Sequence, residues 1–224
     1  MTIRPGEDWG TPTEAEPTHV IAGGDRTLAA ALATLDPSAL VTFTPDRSSD
    51  LGRAIGLAPG TMTPRRGIAL PVDAMAVERS SATIWAVNAV ELGAPPGSLR
   101  ATARQAEVSV TVDGRRFHDG PATGVVIANG QFVDGLDISP RGHPGDGRIE
   151  VQVYALRPGE RGAMRRRLAT GSHLPHPRIR TGSGRRIRVR VRAGAWPVRI
   201  DGHPTGRSGT IVVEVRSPAL HLIV

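Results

Sequence analysis

From residue 67 to the C-terminus the chain is a succession of short apolar segments separated by turn residues, and this spacing limits the fold more than any other feature. Apolar residues within the segments tend to recur at every second position, as side chains do on one face of a β-strand. The predicted strands are 68–70, 84–90, 108–112, 124–128, 149–154, 187–191, 198–200, 211–215 and 220–224. The turn dipeptides that punctuate them are Asp113-Gly114, Asp119-Gly120, Asn129-Gly130 and Asp201-Gly202. Many short strands with regular turns predict a sandwich or a barrel.

The run from Arg186 to Arg192 shows the clearest alternation, with arginine at the even positions and aliphatic residues at the odd ones. On a strand this pattern predicts one face in the core and one face in water. A single interruption of the strand pattern, residues 159–168, predicts a short helix.

Residues 19–56 follow a different pattern, in which a short apolar run, a glycine turn and a helical segment occur twice. The first helix is predicted over 28–35, with Thr27 as its N-cap. The sequence therefore predicts an α+β fold, in which a reduced α/β portion (residues 1–66) is followed by a mainly antiparallel β-sandwich (residues 67–224).

Composition narrows the functional classes. The chain has no cysteine, which excludes disulfides, thiolate metal sites and a thiol nucleophile. Its net charge of +7 comes from arginine, since lysine is absent. The arginine side chains could bind anionic lipid or phosphate, or they could form a solvated face. Aromatic residues make up only 3%, so little is available to stack on bases, and we expect no nucleic-acid partner. No apolar run of about twenty residues is present, so a cytoplasmic protein is expected.

A Gly-Gly-Asp turn can serve as an ordinary strand-to-helix connection, and its neighbours in the sequence give it further meaning. The segments 23–27, 45–50 and 53–57 resemble, in this order, the nucleotide segments of the bacterial diacylglycerol kinase or lipid kinase family. Asn88 and the segment 127–130 resemble landmarks of that family's sandwich. The resemblance covers most of the chain and implies a nucleotide-binding portion followed by a sandwich.

The resemblance also implies a chemistry: transfer of the γ-phosphoryl group of ATP to a lipid hydroxyl, with Mg²⁺. Gly23, Gly24, Asp25 and Thr27 would form a phosphate cradle, since backbone N–H groups in such turns can hold phosphate. Ser48 would join them as a nucleotide-binding residue.

Three further residues match the family's functional positions. Asp146 stands where the family has a magnesium ligand, although an Asp-Gly pair is equally typical of a hairpin turn. Asp201 and His203 match a C-terminal catalytic segment, in which the family has glutamate as the general base at the position of His203. Histidine can accept a proton near neutral pH, so a substituted base is chemically feasible.

Departures from the family pattern leave two hypotheses open. Arg26 replaces a glycine of the nucleotide turn, and His203 replaces the glutamate. Only about twenty residues precede Gly23, and this short lead-in indicates a shortened member of the family. The protein is then either an active lipid kinase or a catalytically inactive relative that binds lipid, nucleotide or a protein partner. An anionic membrane surface is a candidate partner in both cases, and the sequence does not predict the oligomeric state.

Overall fold

The computed structural model describes residues 9–61, 67–79, 82–94 and 104–224. Its strands are β1 (Thr11–Thr13), β2 (His19–Gly23), β3 (Leu40–Pro45), β4 (Gly67–Arg79), β5 (Ala82–Ala86), β6 (Ala89–Gly93), β7 (Ala106–Val112), β8 (Arg115–Ala122), β9 (Gly124–Ala128), β10 (Phe132–Val133), β11 (Leu136–Asp137), β12 (Ile149–Tyr154), β13 (Ile179–Gly184), β14 (Arg186–Val191), β15 (Trp196–Ile200), β16 (His203–Ser208) and β17 (Thr210–Ile223). The helices in the described ranges are α1 (Asp25–Ala31), α2 (Asp50–Ala54) and α3 (Arg161–Leu168), with a 3₁₀ turn at Pro158–Glu160.

The larger of the two main sheets has nine strands, and its long path runs β1-β4-β17-β14-β7-β8. Strand β5 pairs with β4, while β3 pairs with β17 and carries β2 on its other side. The pairs β2–β3 and β3–β17 are parallel. The helix α1 connects β2 to β3, as expected for neighbouring parallel strands. The remaining pairs in this sheet are antiparallel.

The second main sheet has six antiparallel strands in the order β13-β12-β9-β6-β15-β16. Its inner face packs against the larger sheet through buried aliphatic side chains from both layers. The predicted β-sandwich is therefore confirmed. On β14, Ile187, Val189 and Val191 point into this core while the arginines between them are exposed, which confirms the predicted alternation.

A second core joins the α/β elements to the same large sheet. Leu28 of α1, Phe43 of β3 and Leu51 of α2 pack there against Leu220 and Leu222 of β17. The N-terminal half of β17 contributes instead to the sandwich core. A third cluster lies where α3 covers the outer face of the six-stranded sheet.

The structure corrects several sequence predictions. Thr27 does not cap α1, because the helix already begins at Asp25 with Gly24 as its N-cap. The predicted strands 211–215 and 220–224 are one strand, β17, whose pairing with β4 shifts register between Arg216 and Leu220. The predicted strand 84–90 is interrupted after β5, and β6 continues in the other sheet.

Other differences concern turns and polar strands. The dipeptide Asp119-Gly120 lies inside β8 and makes no turn. Strands β8, β13 and β16 were not predicted, and each lies at the edge of its sheet. The predicted helix over 159–168 is confirmed as the 3₁₀ turn and α3. The predicted division at residues 66 and 67 stays a prediction.

Replacing Leu222 by alanine tests the second core. Because this side chain of β17 is fully buried in the cluster that α1 and β3 also form, its removal should lower the free energy of unfolding by about 2–5 kcal/mol in urea denaturation. The control is Val20→Ala, since 73% of the Val20 side chain is exposed, and it should cost less than about 0.5 kcal/mol. Equal losses in the two variants would show that Leu222 does not contribute through burial.

Candidate functional site

A polar cleft of about 690 Å³ lies between the α/β elements and the loops at one end of the sandwich. Its lining residues are Gly24, Asp25, Arg26, Thr27, Asp46, Arg47, Ser48, Asp50, Arg53, Asn88, Val133, Asp134, Gly135, Asp201, Gly202 and His203. Six of the eight residues predicted from the sequence are in this set. Gly23, the last residue of β2, stands just behind it, and Asp146 lies elsewhere.

The first wall of the cleft consists of the two loops that follow β2 and β3. A Cβ atom on Gly24 would lie 2.5 Å from the Ser48 Oγ, so only glycine permits this close approach. The Asp46 carboxylate shapes the second loop, since its Oδ1 accepts hydrogen bonds from the Ser48 N–H (2.7 Å) and Oγ (2.6 Å). The two predicted nucleotide segments are therefore in contact with each other.

Asp25 holds these loops together. Its buried carboxylate accepts hydrogen bonds from the Ser49 Oγ (2.6 Å), the Asp50 N–H (3.0 Å) and the Leu51 N–H (3.2 Å). These donors belong to the first turn of α2, so a residue of α1 satisfies N–H groups that α2 cannot satisfy itself. Burial raises the pKa of Asp25 to about 7, although the hydrogen bond from Ser49 opposes this.

The opposite wall is the hairpin turn between β15 and β16. Asp201 (φ 45°) and Gly202 (φ 76°) both have left-handed backbone, as a two-residue hairpin requires. The Asp201 carboxylate is buried and accepts the N–H groups of Val87 (3.0 Å), Asn88 (3.0 Å) and Ala89 (2.9 Å). Both of its oxygens are therefore used to fix the crossing between β5 and β6. His203 follows directly and is exposed to the cleft.

Arg199 ties this turn to the floor of the cleft. Its guanidinium donates to both carboxylate oxygens of Asp134 (2.7 and 2.9 Å), to the Gly202 carbonyl (2.9 Å) and to the Glu91 Oε2 (2.7 Å). Glu91 is buried, and burial raises its pKa to about 7 despite the attraction of Arg199. Through these bonds one cation fixes three separate segments around the cleft.

Several lining residues were not among the predicted site residues. Asp50 ends the quoted segment 45–50, and its carboxylate accepts the Gly135 N–H (2.9 Å). Asn88 was quoted only as a landmark, yet its Oδ1 is buried and has no hydrogen-bond partner among the described residues. The Asp-Gly pair at Asp134 is a turn signal that could have been used, whereas nothing in the sequence singles out Arg199.

Asp146 lies away from the cleft, beside the middle of β4. Its Oδ1 accepts the Arg148 N–H (2.9 Å), as a turn aspartate does. The neighbouring Asp73 is buried, and its Oδ1 has no hydrogen-bond partner in the described part of the chain. Burial raises the pKa of Asp73 to about 6, and Asp146 adds to this.

The two carboxylates fit Mg²⁺ in donor type, since this ion prefers oxygen and often takes only one or two protein carboxylates. Over residues 9–61, 67–79, 82–94 and 104–224, no group of three or more Asp, Glu or His side chains is arranged to hold a metal ion. Any such ion would therefore need backbone carbonyls or water as further ligands. The metal-binding role of Asp146 stays a prediction.

Comparisons with known proteins agree with this architecture. Residues 67–224 match the family model of the YegS C-terminal NAD kinase beta sandwich-like domain. A diacylglycerol kinase from Bacillus anthracis str. Sterne is similar in structure, with a TM-score of 0.68 and 18% identity over 91% of this chain and 75% of that one. We found no curated protein with significant sequence similarity.

Two nucleotide kinases share the fold more distantly. The yeast NADH kinase complexed with NADH gives a TM-score of 0.53 at 15% identity, over 92% of this chain and 60% of that one. An NAD kinase from Archaeoglobus fulgidus in complex with ATP gives 0.51 at 14% identity, over 92% and 76%.

The sandwich, the adjoining α/β elements and the cleft between them thus define a fold that diacylglycerol kinases and NAD kinases share. The chain belongs to the YegS C-terminal NAD kinase beta sandwich-like family, whose model matches residues 67–224. None of the helices in the described residues is long and apolar enough to cross a membrane.

The raised pKa of Asp25 predicts a pH dependence of stability. Its ordinary value is 3.8 and its value in the folded protein is about 7, so between these pH values the folded state retains a proton that the unfolded chain has released. The free energy of unfolding should therefore fall as the pH rises from about 4 to about 7. Urea denaturation across this range should show a smaller slope for Asp25→Asn than for the wild type.

The matched control for this measurement is Asp36→Asn. Asp36 is exposed, and hydrogen bonds from Ser38 lower its pKa, so its loss should leave the slope above about pH 5 unchanged. A slope that is identical in wild type and Asp25→Asn would show that Asp25 does not retain its proton in the folded state.

Proposed function

We propose that the protein is an ATP-dependent lipid kinase that transfers the γ-phosphoryl group of ATP to a lipid hydroxyl in the cleft. One observation supports this activity most directly: Gly24, Thr27 and Ser48 of the nucleotide segments line the same cleft as His203. A phosphoryl donor and an acceptor base would therefore meet in one space.

The α/β side suits the nucleotide. Arg26, Arg47 and Arg53 line the cleft there, and their guanidinium groups complement the negative charge of a triphosphate. A side chain at position 24 would collide with the Ser48 Oγ, so Gly24 keeps this part of the cleft open beside them. The A. fulgidus NAD kinase of similar fold was solved with ATP, which supports a nucleotide in the corresponding portion of this chain.

The sandwich side suits the acceptor. His203 would take the proton of the lipid hydroxyl while the hydroxyl oxygen forms a bond to the γ-phosphorus of ATP. The bond between the γ-phosphorus and the β,γ-bridging oxygen breaks in the same step, and ADP leaves. Asp201 and Arg199 would act as positioning residues for His203. The Asp201 carboxylate fixes the turn by accepting the Ala89 N–H, and the Arg199 guanidinium donates to the Gly202 carbonyl. Mg²⁺ at Asp146 and Asp73 would neutralise two neighbouring carboxylates and fix the adjoining segment.

Removing the imidazole tests the role of His203. With radiolabelled Mg-ATP and dispersed diacylglycerol as acceptor, His203→Ala should lower phosphoryl transfer by about 10²–10⁴-fold, the contribution typical of a general base. Calorimetry should show unchanged, saturable Mg-ATP binding, because the nucleotide contacts lie on the opposite wall. His203→Glu supplies another base and should retain transfer.

The control is His19→Ala, the same substitution at an exposed residue of β2 outside the cleft. Transfer that is equal in wild type and His203→Ala would remove this histidine from the mechanism. Absence of Mg-ATP binding up to millimolar concentration would favour the catalytically inactive relative.

We propose, in addition, that the outer face of the larger sheet meets an anionic membrane. Arg188 and Arg190 of β14 are exposed there and form no ion pair within the part of the chain that is described, whereas their neighbours Arg186 and Arg192 are paired with carboxylates. Unpaired guanidinium groups on a sheet face can approach lipid phosphates without first breaking an ion pair.

Vesicles of phosphatidylglycerol and phosphatidylcholine test this surface. Arg188→Gln and Arg190→Gln should each weaken binding about fivefold, from about 1 kcal/mol for a basic residue at an anionic surface. Binding should also fall steeply with added salt. Arg186→Gln is the matched control and should weaken binding less, because Arg186 is already paired with Glu214. Salt-insensitive binding, or equal effects of the three substitutions, would contradict this proposal.

A further inference from the structure

A second, smaller groove of about 390 Å³ adjoins the cleft. It lies between α1 with its following turn on one side and strands β5 and β16 on the other. Its lining is largely apolar and includes Ala30, Ala33, Ile84, Trp85 and Pro204. The groove exists because three of the four residues of the α1 side that line it are alanines, whose small side chains leave the space open.

The groove and the cleft are continuous. Arg26, Asp201 and His203 line both of them, so the exposed histidine stands at their junction. On one side of His203 the walls carry carboxylates and guanidinium groups, and on the other side they carry hydrocarbon. A ligand that fits both spaces has a polar end and an apolar tail.

Trp85 gives the groove a fixed floor. The Arg216 guanidinium lies 5.4 Å from the centroid of its ring, which restrains the indole by a cation–π contact. The space between the two sheets offers no comparable room, since the side chains of that core are buried and packed against each other. The groove is therefore an apolar space that an acceptor could reach from His203.

We infer that this groove holds the hydrocarbon chain of the acceptor lipid and so presents the lipid hydroxyl to His203. The inference rests on the proposed phosphoryl transfer and adds the position of the acceptor's tail. Two consequences follow from the size of the groove. It suits one chain better than two, and it should favour chains that fill it, because each methylene removed from water adds to the affinity.

Chain length tests the inference without any need for catalysis. Binding of 1-monoacylglycerols with 6, 8 and 10 carbons is measured by calorimetry without nucleotide, below their critical micelle concentrations. Each added methylene should tighten binding about fourfold, from the free energy of burying one methylene group. Affinity that does not change with chain length would overturn the inference.

Filling the groove is the second arm. Ala33→Trp should weaken monoacylglycerol binding at least tenfold and leave Mg-ATP binding unchanged. The matched control is Thr34→Trp, since Thr34 is exposed beside Ala33 but lies outside the groove. If Ala33→Trp does not fold, Ala30→Phe replaces it, because Ala30 is exposed on the same wall. Unchanged monoacylglycerol affinity in the folded variant would overturn the inference.

The outcomes separate the groove from the kinase activity. In one outcome, monoacylglycerol binding depends on chain length and is abolished by Ala33→Trp, while the wild type transfers no phosphoryl group. This result would support the groove as a binding site and contradict the kinase activity. If Ala33→Trp transfers the phosphoryl group with an unchanged KM for the lipid, the kinase activity is supported and the role of the groove is contradicted. Photocrosslinking with a diazirine-bearing acyl chain should label residues 30–33 or 83–85, and labelling confined to other segments would also overturn the inference.

Discussion

The pairing of β17 with β4 is the interaction on which the rest of the structure depends. Strand β17 has 14 residues and β4 has 13, and they remain paired across a register shift. One half of β17 packs into the sandwich core and the other half into the core beneath α1. The α/β elements therefore share a continuous sheet with the sandwich, and the cleft between them has rigid walls on both sides.

The sequence predicted the parts of the fold in which one face of a strand is buried. Strand β14 alternates cleanly because its aliphatic face lies in the core, and the strands β2 and β3 stood out as apolar runs. Strands β8, β13 and β16 escaped prediction for the opposite reason. They are edge strands, so they carry polar residues and glycines, and only their pairing with a neighbour identifies them.

The candidate site was predictable where a motif is local and hidden where it depends on the fold. The glycine turn and the Asp201-Gly202 hairpin are short motifs that the sequence identifies, and both line the cleft. Arg199 could not be found in this way, because two of its partners, Glu91 and Asp134, lie in distant segments of the sequence. The sequence also could not reveal that the carboxylates of Asp25 and Asp201 accept hydrogen bonds from backbone N–H groups, because this depends on which loops contact each other in the fold.

The hairpin that carries His203 has a consequence for how this protein can change over evolutionary time. Its conformation is set by the left-handed turn, the three N–H groups held by Asp201 and the carbonyl held by Arg199. None of these bonds involves the side chain at position 203, which is exposed. The scaffold therefore tolerates a new reactive group there at little cost in folding, so a lineage can exchange, lose or regain its acid-base chemistry while the surrounding architecture stays the same.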